Sequence, residues 1–444
     1  MIEMSPEIVT IAMFGVVIAG LFLGHPVALV LGGTAAIFIF LGWGPQGWYL
    51  FLGRAFDSTT NNILIAIPLF ILMAAFLSQS MISEGLFKAM MYLFGPLNGG
   101  VALAVIVMCA IEAASTGIVG ASVISMSLLA IPVMLKKGYD KRMACGAVAA
   151  GGVLSILIPP SIMLVMMADQ AGVSVGKIFA GGFIPGLILS SLFFTYILII
   201  TWLRPNMGPA LPLEERSAIT AKEKVVLLLK NLIPPMALIF GVLGSIWTGV
   251  ATATEAAGVG CLLAIVLVIC YGRFSWKLMK ACVWSASRTS CMVMTILFCA
   301  SIFTGVFLGL GGGQVVTDLI MYFDFLGKYG MFFAMMFIIF ILGFLVDWIA
   351  IIYITLPIFL PIAVGLGFNK LWFLIMMAIN LQTSFMSPPF GYALFYMKAT
   401  VPQEIKLIDI YYAVIPFIII QLIGLTICFF FPEVATYLPD RFIK

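Results

Sequence analysis

Ser155-Ile156-Leu157-Ile158-Pro159-Pro160-Ser161 and Ser384-Phe385-Met386-Ser387-Pro388-Pro389-Phe390 are two polar, double-proline breaks in otherwise apolar sequence. They share one offset: 384 − 155 = 229, and the same step takes Pro160 to Pro389. It also carries Pro132 onto Pro361, Gly138 onto Gly367 and Lys141 onto Lys370. Around these positions Lys137-Gly138-Tyr139-Asp140-Lys141 reads as Leu366-Gly367-Phe368-Asn369-Lys370. The chain therefore holds a duplicated unit, each copy with one interrupted apolar segment. In a membrane protein, matched interruptions in two halves point to a binding site near the bilayer midplane.

Composition places the chain in a membrane. Of 444 residues, 63% are hydrophobic and 9% charged, against about a quarter charged in a soluble domain. Apolar runs such as 178–202, 232–250 and 408–431 reach the roughly 20 residues that a spanning helix needs. They lack the alternation of a membrane β-barrel. The first run follows Glu3 and Glu7 and no Lys or Arg, unlike a cleaved signal peptide. The net charge of +4 says little, because the bases sit in loops. The eight Cys form no CxxC pair and read as small buried residues. His25 is the only histidine, which excludes a histidine-based metal or catalytic cluster. Gly311-Gly312-Gly313 lacks the Gly-Lys-Ser/Thr of a phosphate loop.

Charge sets the topology. Lys136, Lys137, Lys141 and Arg142 crowd one short loop, which the positive-inside rule makes cytoplasmic. Counting crossings from there puts Arg204, Arg216, Lys222, Lys224 and Lys230 on the same side, and Arg273, Lys277, Lys280 and Arg288 with them. The counterpart loop, 365–371, holds only Lys370. It falls on the other side if 329–363 is a re-entrant hairpin, and the two copies are then inverted. Residues 102–114 and 123–135 are short apolar arms around a small, polar centre, Ser115 to Ser122. At 1.5 Å per residue neither arm comfortably crosses roughly 30 Å, so they read as a hairpin turning inside the membrane. Residues 331–346 and 349–362 do the same around Asp347.

The expected fold is an all-α polytopic membrane protein of two inverted-topology repeats, each with a re-entrant helical hairpin and a broken helix. The first repeat is 1–203, with its hairpin at about 101–135 and its broken helix at about 143–170. A cytoplasmic connector, 204–230, leads to the second repeat, 231–444, with its hairpin at about 330–363 and its broken helix at about 371–402. Segments 42–62 and 83–97 read as interfacial. The expected location is a bacterial inner membrane, crossed several times, with the N-terminus periplasmic.

The breaks suit a cation. Pro159, Pro160, Pro388 and Pro389 have no N–H to give, so carbonyls one turn back are freed. Freed carbonyls beside hydroxyls are ligands for a small hard cation such as sodium. The expected cation-binding residues are Ser155, Pro159, Asn380, Thr383, Ser384 and Pro388, with Asp347. The expected substrate cavity is formed by Ser115, Thr116, Gly117 and Ser122 of the first hairpin, with Ser161 and Ser387 beside the breaks. Irregular backbone at this depth is tolerated where it lines a buried cavity. The alternative for the breaks is a pair of proline kinks whose hydroxyls re-satisfy the backbone. Glu112 and Asp347 are acids at membrane depth. Each fits either ion or proton binding, or a helix cap at the hairpin turn. Glu255 reads as structural, in the first turn of a helix capped by Thr254.

These motifs resemble the large membrane subunit of TRAP transporters (tripartite ATP-independent periplasmic transporters, the DctM family). The likeness rests on Thr116-Gly117-Ile118-Val119-Gly120-Ala121-Ser122, Lys137-Gly138-Tyr139-Asp140-Lys141-Arg142, Ile158-Pro159-Pro160-Ser161 and Phe183-Ile184-Pro185-Gly186. The second half adds Thr254-Glu255-Ala256-Ala257-Gly258, Asp347-Trp348-Ile349, Asn380-Leu381-Gln382-Thr383-Ser384-Phe385 and Pro388-Pro389-Phe390-Gly391. The details are most similar to the branch labelled mannitol/chloroaromatic. Ser155 departs from the glycine this resemblance leads one to expect. The resemblance implies a sodium-coupled importer of a small organic acid or other organic anion, working by an elevator mechanism. It implies a small four-helix membrane subunit and a periplasmic substrate-binding protein as partners, sodium as coupling ion, and no other cofactor.

Two other functions are weighed against this. A stand-alone divalent-anion symporter or cation antiporter could use the same inverted-hairpin plan, and would work without a binding protein. A membrane-embedded enzyme needs a nucleophile–base pair or a metal cluster, which one histidine and two isolated acids do not supply. Nothing in the sequence points to nucleic acid.

Overall fold

The computed structural model describes residues 5–79, 82–217 and 220–443. It is all helical among those residues. The first half runs α1 (Pro6–Phe22), α2 (Val27–Trp43), α3 (Trp48–Thr60), α4 (Ala66–Gln79) and α5 (Ile82–Phe94). It continues with α6 (Gly100–Thr116), α7 (Val119–Lys136), α8 (Lys141–Val153), α9 (Ile162–Ala171) and α10 (Val175–Leu203). A short helix, α11 (Leu213–Ser217), lies in the connection.

The second half runs α12 (Ala221–Trp247), α13 (Ala253–Cys270), α14 (Trp276–Gly309), α15 (Gly312–Met321) and α16 (Gly327–Leu345). Then come α17 (Trp348–Gly365), α18 (Lys370–Met386), α19 (Tyr392–Lys398), α20 (Leu407–Phe430) and α21 (Glu433–Phe442). Among the described residues nine helical stretches are long and apolar enough to cross a membrane.

The repeat offset extends from the quoted motifs to the helix ends. It takes both ends of α7 onto both ends of α17, and the start of α8 onto the start of α18. The local chemistry follows. Asp140 caps α8 by accepting from Arg142 N at 2.8 Å, and Asn369 caps α18 by accepting from Leu371 N at 2.9 Å and Trp372 N at 3.1 Å. Before each cap a glycine takes the left-handed conformation that a side chain resists, Gly138 at φ 79° and Gly367 at φ 82°. Both segments read as hairpins are helix, turn, helix, with arms of 17, 18, 19 and 18 residues, longer than the sequence reading gave them, and α7 and α17 are among the stretches long enough to cross. The first turns at Gly117 (φ 60°) and Ile118, the second at Val346 and Asp347.

The broken helices are the centre of the molecule. Every residue of α8 from Met143 to Val153 and of α18 from Leu371 to Met386 is buried. The repeats interlock there. Hairpin arm α7 packs on α19, the second half of the other repeat's broken helix, and α17 packs on α9. The outer helices carry exposed apolar side chains, among them Ile11, Phe40, Leu262 and Phe337, as helices do when lipid is their solvent.

Three further features differ from the sequence expectation. Helix α12 begins at Ala221, inside the stretch read as a polar connector, because Thr220 and Glu223 form a capping box there. The cap of α13 is Thr252 and not Thr254: Thr252 lies three residues before Glu255, the spacing a capping box requires. Thr254 Oγ1 instead donates to Asn62 O at 3.1 Å. Lastly, the repeats are unequal in their scaffold. Helix α14 runs unbroken for 34 residues, about 51 Å at 1.5 Å per residue, whereas its counterpart is split into α3 and α4 at Asn61 and Asn62.

Candidate functional site

The two breaks are built alike. Helix α8 loosens into a 3-10 turn at Leu154–Ile156 and then ends. Pro159 and Pro160 cannot donate to the carbonyls of Ser155 and Ile156. Ser161 Oγ takes up the second of these, donating to Ile156 O at 2.7 Å. Ser155 Oγ donates to Gly152 O at 2.8 Å, and its counterpart Ser384 Oγ donates to Leu381 O, also at 2.8 Å. Thr383 Oγ1 donates to Ile379 O and Ser387 Oγ to Thr383 O. All of these side chains are buried. A hydroxyl that gives its proton to a carbonyl still has oxygen lone pairs to offer. The bonding thus satisfies the kinked backbone and leaves a set of oxygens that can face a cation.

A second contact ties the breaks together. Gln382 Nε2 donates to Val153 O at 2.9 Å, across 229 residues, so Gln382 reaches the carbonyl of its own repeat counterpart. Gln382 Oε1 accepts from Gln421 Nε2 of α20 at 2.7 Å. Both glutamines are fully buried, where an unmade hydrogen bond is costly.

Each hairpin is pressed onto its break through glycine. A Cβ added at Gly343 of α16 would lie 2.0 Å from Ser384 Oγ, and one at Gly117 would lie 3.0 Å from Ile162 N. Asn380 Nδ2 donates to Met336 O of α16 at 2.7 Å, fastening α18 to the second hairpin. Asp347 stands at the tip of that hairpin and caps α17, accepting from Ile349 N at 3.2 Å.

Two adjoining cavities face the hairpin tips. One, of about 320 Å³, lies among Glu112, Ile118, Gly120 and Ser125 of the first hairpin, Ser78 and Gln79 of α4, Ser285 and Thr289 of α14, and Tyr396 of α19. The other, of about 50 Å³, lies among Val119, Asp347, Trp348, Phe385 and Tyr392, with Val293 and Ile296 of α14. Ile118, Gly120, Met292 and Tyr396 line both. The two acids, Glu112 and Asp347, thus look onto neighbouring spaces, and among the described residues no basic one lines either.

Comparison with known proteins identifies the architecture. The profile of the family described as "Tripartite ATP-independent periplasmic transporter, DctM component" matches residues 14–434. This chain belongs to the DctM family. It is 30% identical over 419 residues to the C4-dicarboxylate TRAP transporter large permease protein DctM of Pseudomonas aeruginosa, covering 93% of this chain and 94% of that one. It is 29% identical to the isethionate TRAP transporter permease protein DctMQ of Oleidesulfovibrio alaskensis, covering 96% of this chain and 65% of that one. The YdaH transporter of Alcanivorax borkumensis shares the fold, with TM-score 0.63 at 11% identity, over 98% of this chain and 100% of that one. As a DctM permease the chain is a multi-pass transport protein and not an enzyme.

Within this DctM permease the expected site residues divide. Ser155, Pro159, Asn380, Thr383 and Ser384 lie buried at the two breaks, and Pro388 is half-buried at the second, where Pro389 and Phe390 are exposed. Asp347 lies at the second hairpin tip, facing the smaller cavity. The side chains of Ser115 and Thr116 lie outside the described residues. Gly117, Ser122, Ser161 and Ser387 are buried and do not line either cavity; Gly120, Ala121 and Ser125 line the larger one instead. The helical repeat explains this, because Ser125 lies about one turn from Ala121 while Ser122 turns inward. The Gln382–Gln421 pair and the α14 hydroxyls were not singled out from sequence. For Gln382 a signal existed: a polar side chain at membrane depth in the middle of an apolar helix.

Proposed function

We propose that this DctM permease imports a small organic acid, driven by an inward sodium gradient. The hairpins and broken helices move as a unit past the remaining helices, in the manner of an elevator. The observation that carries this reading is the matched pair of breaks, each offering backbone carbonyls and buried hydroxyl oxygens, with a hairpin pressed onto it. The relatives named for C4-dicarboxylate and isethionate support an anionic substrate.

The chamber suits an anion in one respect. Helices α7 and α17 both start at it, at Val119 and Trp348. Their N-terminal N–H groups and dipoles favour negative charge. Among the described residues no base lines the chamber to hold a carboxylate, and the acids Glu112 and Asp347 oppose one. Co-bound sodium ions at the breaks supply the compensating charge, which makes substrate and cation binding interdependent.

Partners follow from the same reading. A small four-helix membrane subunit completes the scaffold, and a periplasmic binding protein delivers substrate to the face opposite the basic loops. The DctMQ relative supports a second membrane part, since this chain matches only 65% of its length. The protein sits in the inner membrane, with its N-terminus periplasmic.

The test is uptake of a radiolabelled organic acid by the reconstituted complex under an imposed gradient. Uptake should require inward sodium and should vanish when potassium replaces it. Ser384→Ala should raise the half-saturating sodium concentration about tenfold, the equivalent of about 1.4 kcal/mol, with assembly unaffected. Ser155→Ala should do less, since the carbonyl remains. Uptake that ignores sodium and follows a proton gradient would overturn the reading and shift attention to Glu112.

A further inference from the structure

A polar contact joins the first broken helix to the scaffold. Asn61, in the elbow between α3 and α4, donates from Nδ2 to Asp169 Oδ1 at 2.6 Å. Asp169 belongs to the last turn of α9. The elbow is itself braced: Asn61 Oδ1 accepts from Ile63 N at 2.9 Å, and Asn62 O accepts from Thr254 Oγ1 at 3.1 Å. Helix α9 packs on α4 and on the 3-10 turn Ile63–Ile65 beside this contact. On this face the broken helix is shut against the scaffold.

The repeat offset carries Asn61 onto Ser290 of α14 and Asp169 onto Lys398 of α19. There the arrangement is open. The cavity of about 320 Å³ separates Tyr396 of α19 from Ser285 and Thr289 of α14. Neither Ser290 nor Lys398 lines that cavity, and Lys398 Nζ donates to Ile405 O at 2.6 Å. One repeat is therefore closed where its inverted counterpart is open. In both, the chemistry is a charged group on the broken helix opposite a neutral polar group on the scaffold: carboxylate against amide, ammonium against hydroxyl.

We propose that Ser290 and Lys398 form the matching contact when the transporter closes its other face, so that Asn61–Asp169 and Ser290–Lys398 are alternative, mutually exclusive gates. The inference rests on the elevator reading above and adds the residues that hold each end state. Exchanging the conformations of two inverted repeats exchanges which face is shut, and the offset then names the pair that meets. Ser290 and Lys398 act as positioning residues: they set the balance of states without touching substrate.

The experiment uses full-length permease in membranes, with the two exposed cysteines, Cys270 and Cys291, replaced by serine. A cysteine at Ser125, which lines the larger cavity, reports its opening by thiol labelling. Asn61→Ala weakens the observed gate and should slow Ser125→Cys labelling. Ser290→Ala weakens the proposed one and should speed it. A tenfold change in the ratio of states corresponds to about 1.4 kcal/mol, and each variant should move the ratio by up to that factor, in opposite directions. Separately, Asn61→Cys with Asp169→Cys, and Ser290→Cys with Lys398→Cys, are each bridged by a short bis-thiol reagent. The first bridge should lock the cavity open and the second lock it shut.

Shifts of one sign in both variants would overturn the proposal, as would a second bridge that leaves the cavity open. If labelling alternates with sodium but the second pair never bridges, the gates are wrong and the elevator stands. If accessibility never alternates, the elevator reading fails and takes the gates with it.

Discussion

Gly343→Ala tests the contact on which the site geometry depends. Gly343 lies on α16 where that helix crosses the second break. An added Cβ would meet Ser384 Oγ at 2.0 Å and Ser384 Cβ at 2.6 Å. Ser384 has little room to retreat. It is fully buried, donates to Leu381 O, and belongs to a helix with every residue from Leu371 to Met386 buried. Helix propensity alone makes the substitution favourable by about 0.8–1.0 kcal/mol. Overpacking a dense core costs about 1–3 kcal/mol, and losing the Ser384 hydrogen bond adds about 1 kcal/mol. The clash therefore wins over propensity, with a net loss of about 1–3 kcal/mol.

The clash needs both partners, which gives a sharper test than the single variant. Ser384→Gly removes both offending atoms, at a cost of about 0.5–1 kcal/mol for a glycine inside a helix. The double variant Gly343→Ala/Ser384→Gly should recover most of the loss. Thermal midpoints of the purified protein in detergent, followed by size-exclusion recovery, measure it. The double variant should have a higher midpoint than Gly343→Ala alone, although it carries one more unfavourable change. A midpoint below both single variants would mean that α16 and α18 do not approach this closely, and the hairpin would not rest on the break.

Three further outcomes follow from single contacts. Asn369→Ala removes a cap serving two N–H groups of α18 and should cost about 1 kcal/mol, read as a lower midpoint that Asn369→Asp restores. Gln382→Leu strips Val153 O of its side-chain donor and Gln421 Nε2 of the nearer of its two acceptors, so it should cost about 1–3 kcal/mol. Gln421→Leu should cost less, since Gln421 Oε1 meets no hydrogen-bond partner among the described residues; equal losses would count against the bridge. Tyr139 Oη accepts from Val101 N at 3.0 Å, and burial pushes its phenol up to about 12 from 10.0. The stability it lends is whole below pH 10 and lost as pH climbs toward 12. Tyr139→Phe should thus be less stable at neutral pH yet flatter above pH 10 in a midpoint-against-pH series.

Much of the fold was legible because the duplication survives in punctuation. Proline, glycine and cap residues mark where helices start and stop, and their local physics holds in any surroundings. That is why Gly138 and Gly367, or Asp140 and Asn369, locate matching turns in sequence and structure alike. What sequence left hidden depends on the partner across space. Nothing in α7 announces that it packs on α19. Ser285 and Thr289 read as ordinary hydroxyls in a helix that also carries Lys277 and Arg288, and only packing turns them toward a cavity. Ser122 and Ser125 have the same chemistry, and the helix phase alone decides which is buried. Thr252 and Thr254 both precede an acid; the three-residue spacing of the capping box selects the first.

The places where the two repeats disagree bear most directly on how the permease works. An exact inverted duplication would give two end states of equal energy, one the mirror of the other in access. Bias between them must come from positions where the offset fails. Glu112 corresponds to Ile341, Asp347 to Ile118, Asp169 to Lys398, and the Asn61–Asn62 elbow to unbroken α14. These cluster at the hairpins, the cavity walls and the ends of the broken helices. Each gives one repeat a charge, a sign of charge or a bend that the other repeat lacks. A ligand shifts such an equilibrium only by its difference in affinity for the two states, so under the proposed sodium-coupled reading the unequal acids beside the chamber would give ion and substrate something to distinguish. On the proposed elevator reading, the symmetric parts of the sequence make two states possible, and the asymmetric residues set which state a bound ion or substrate favours.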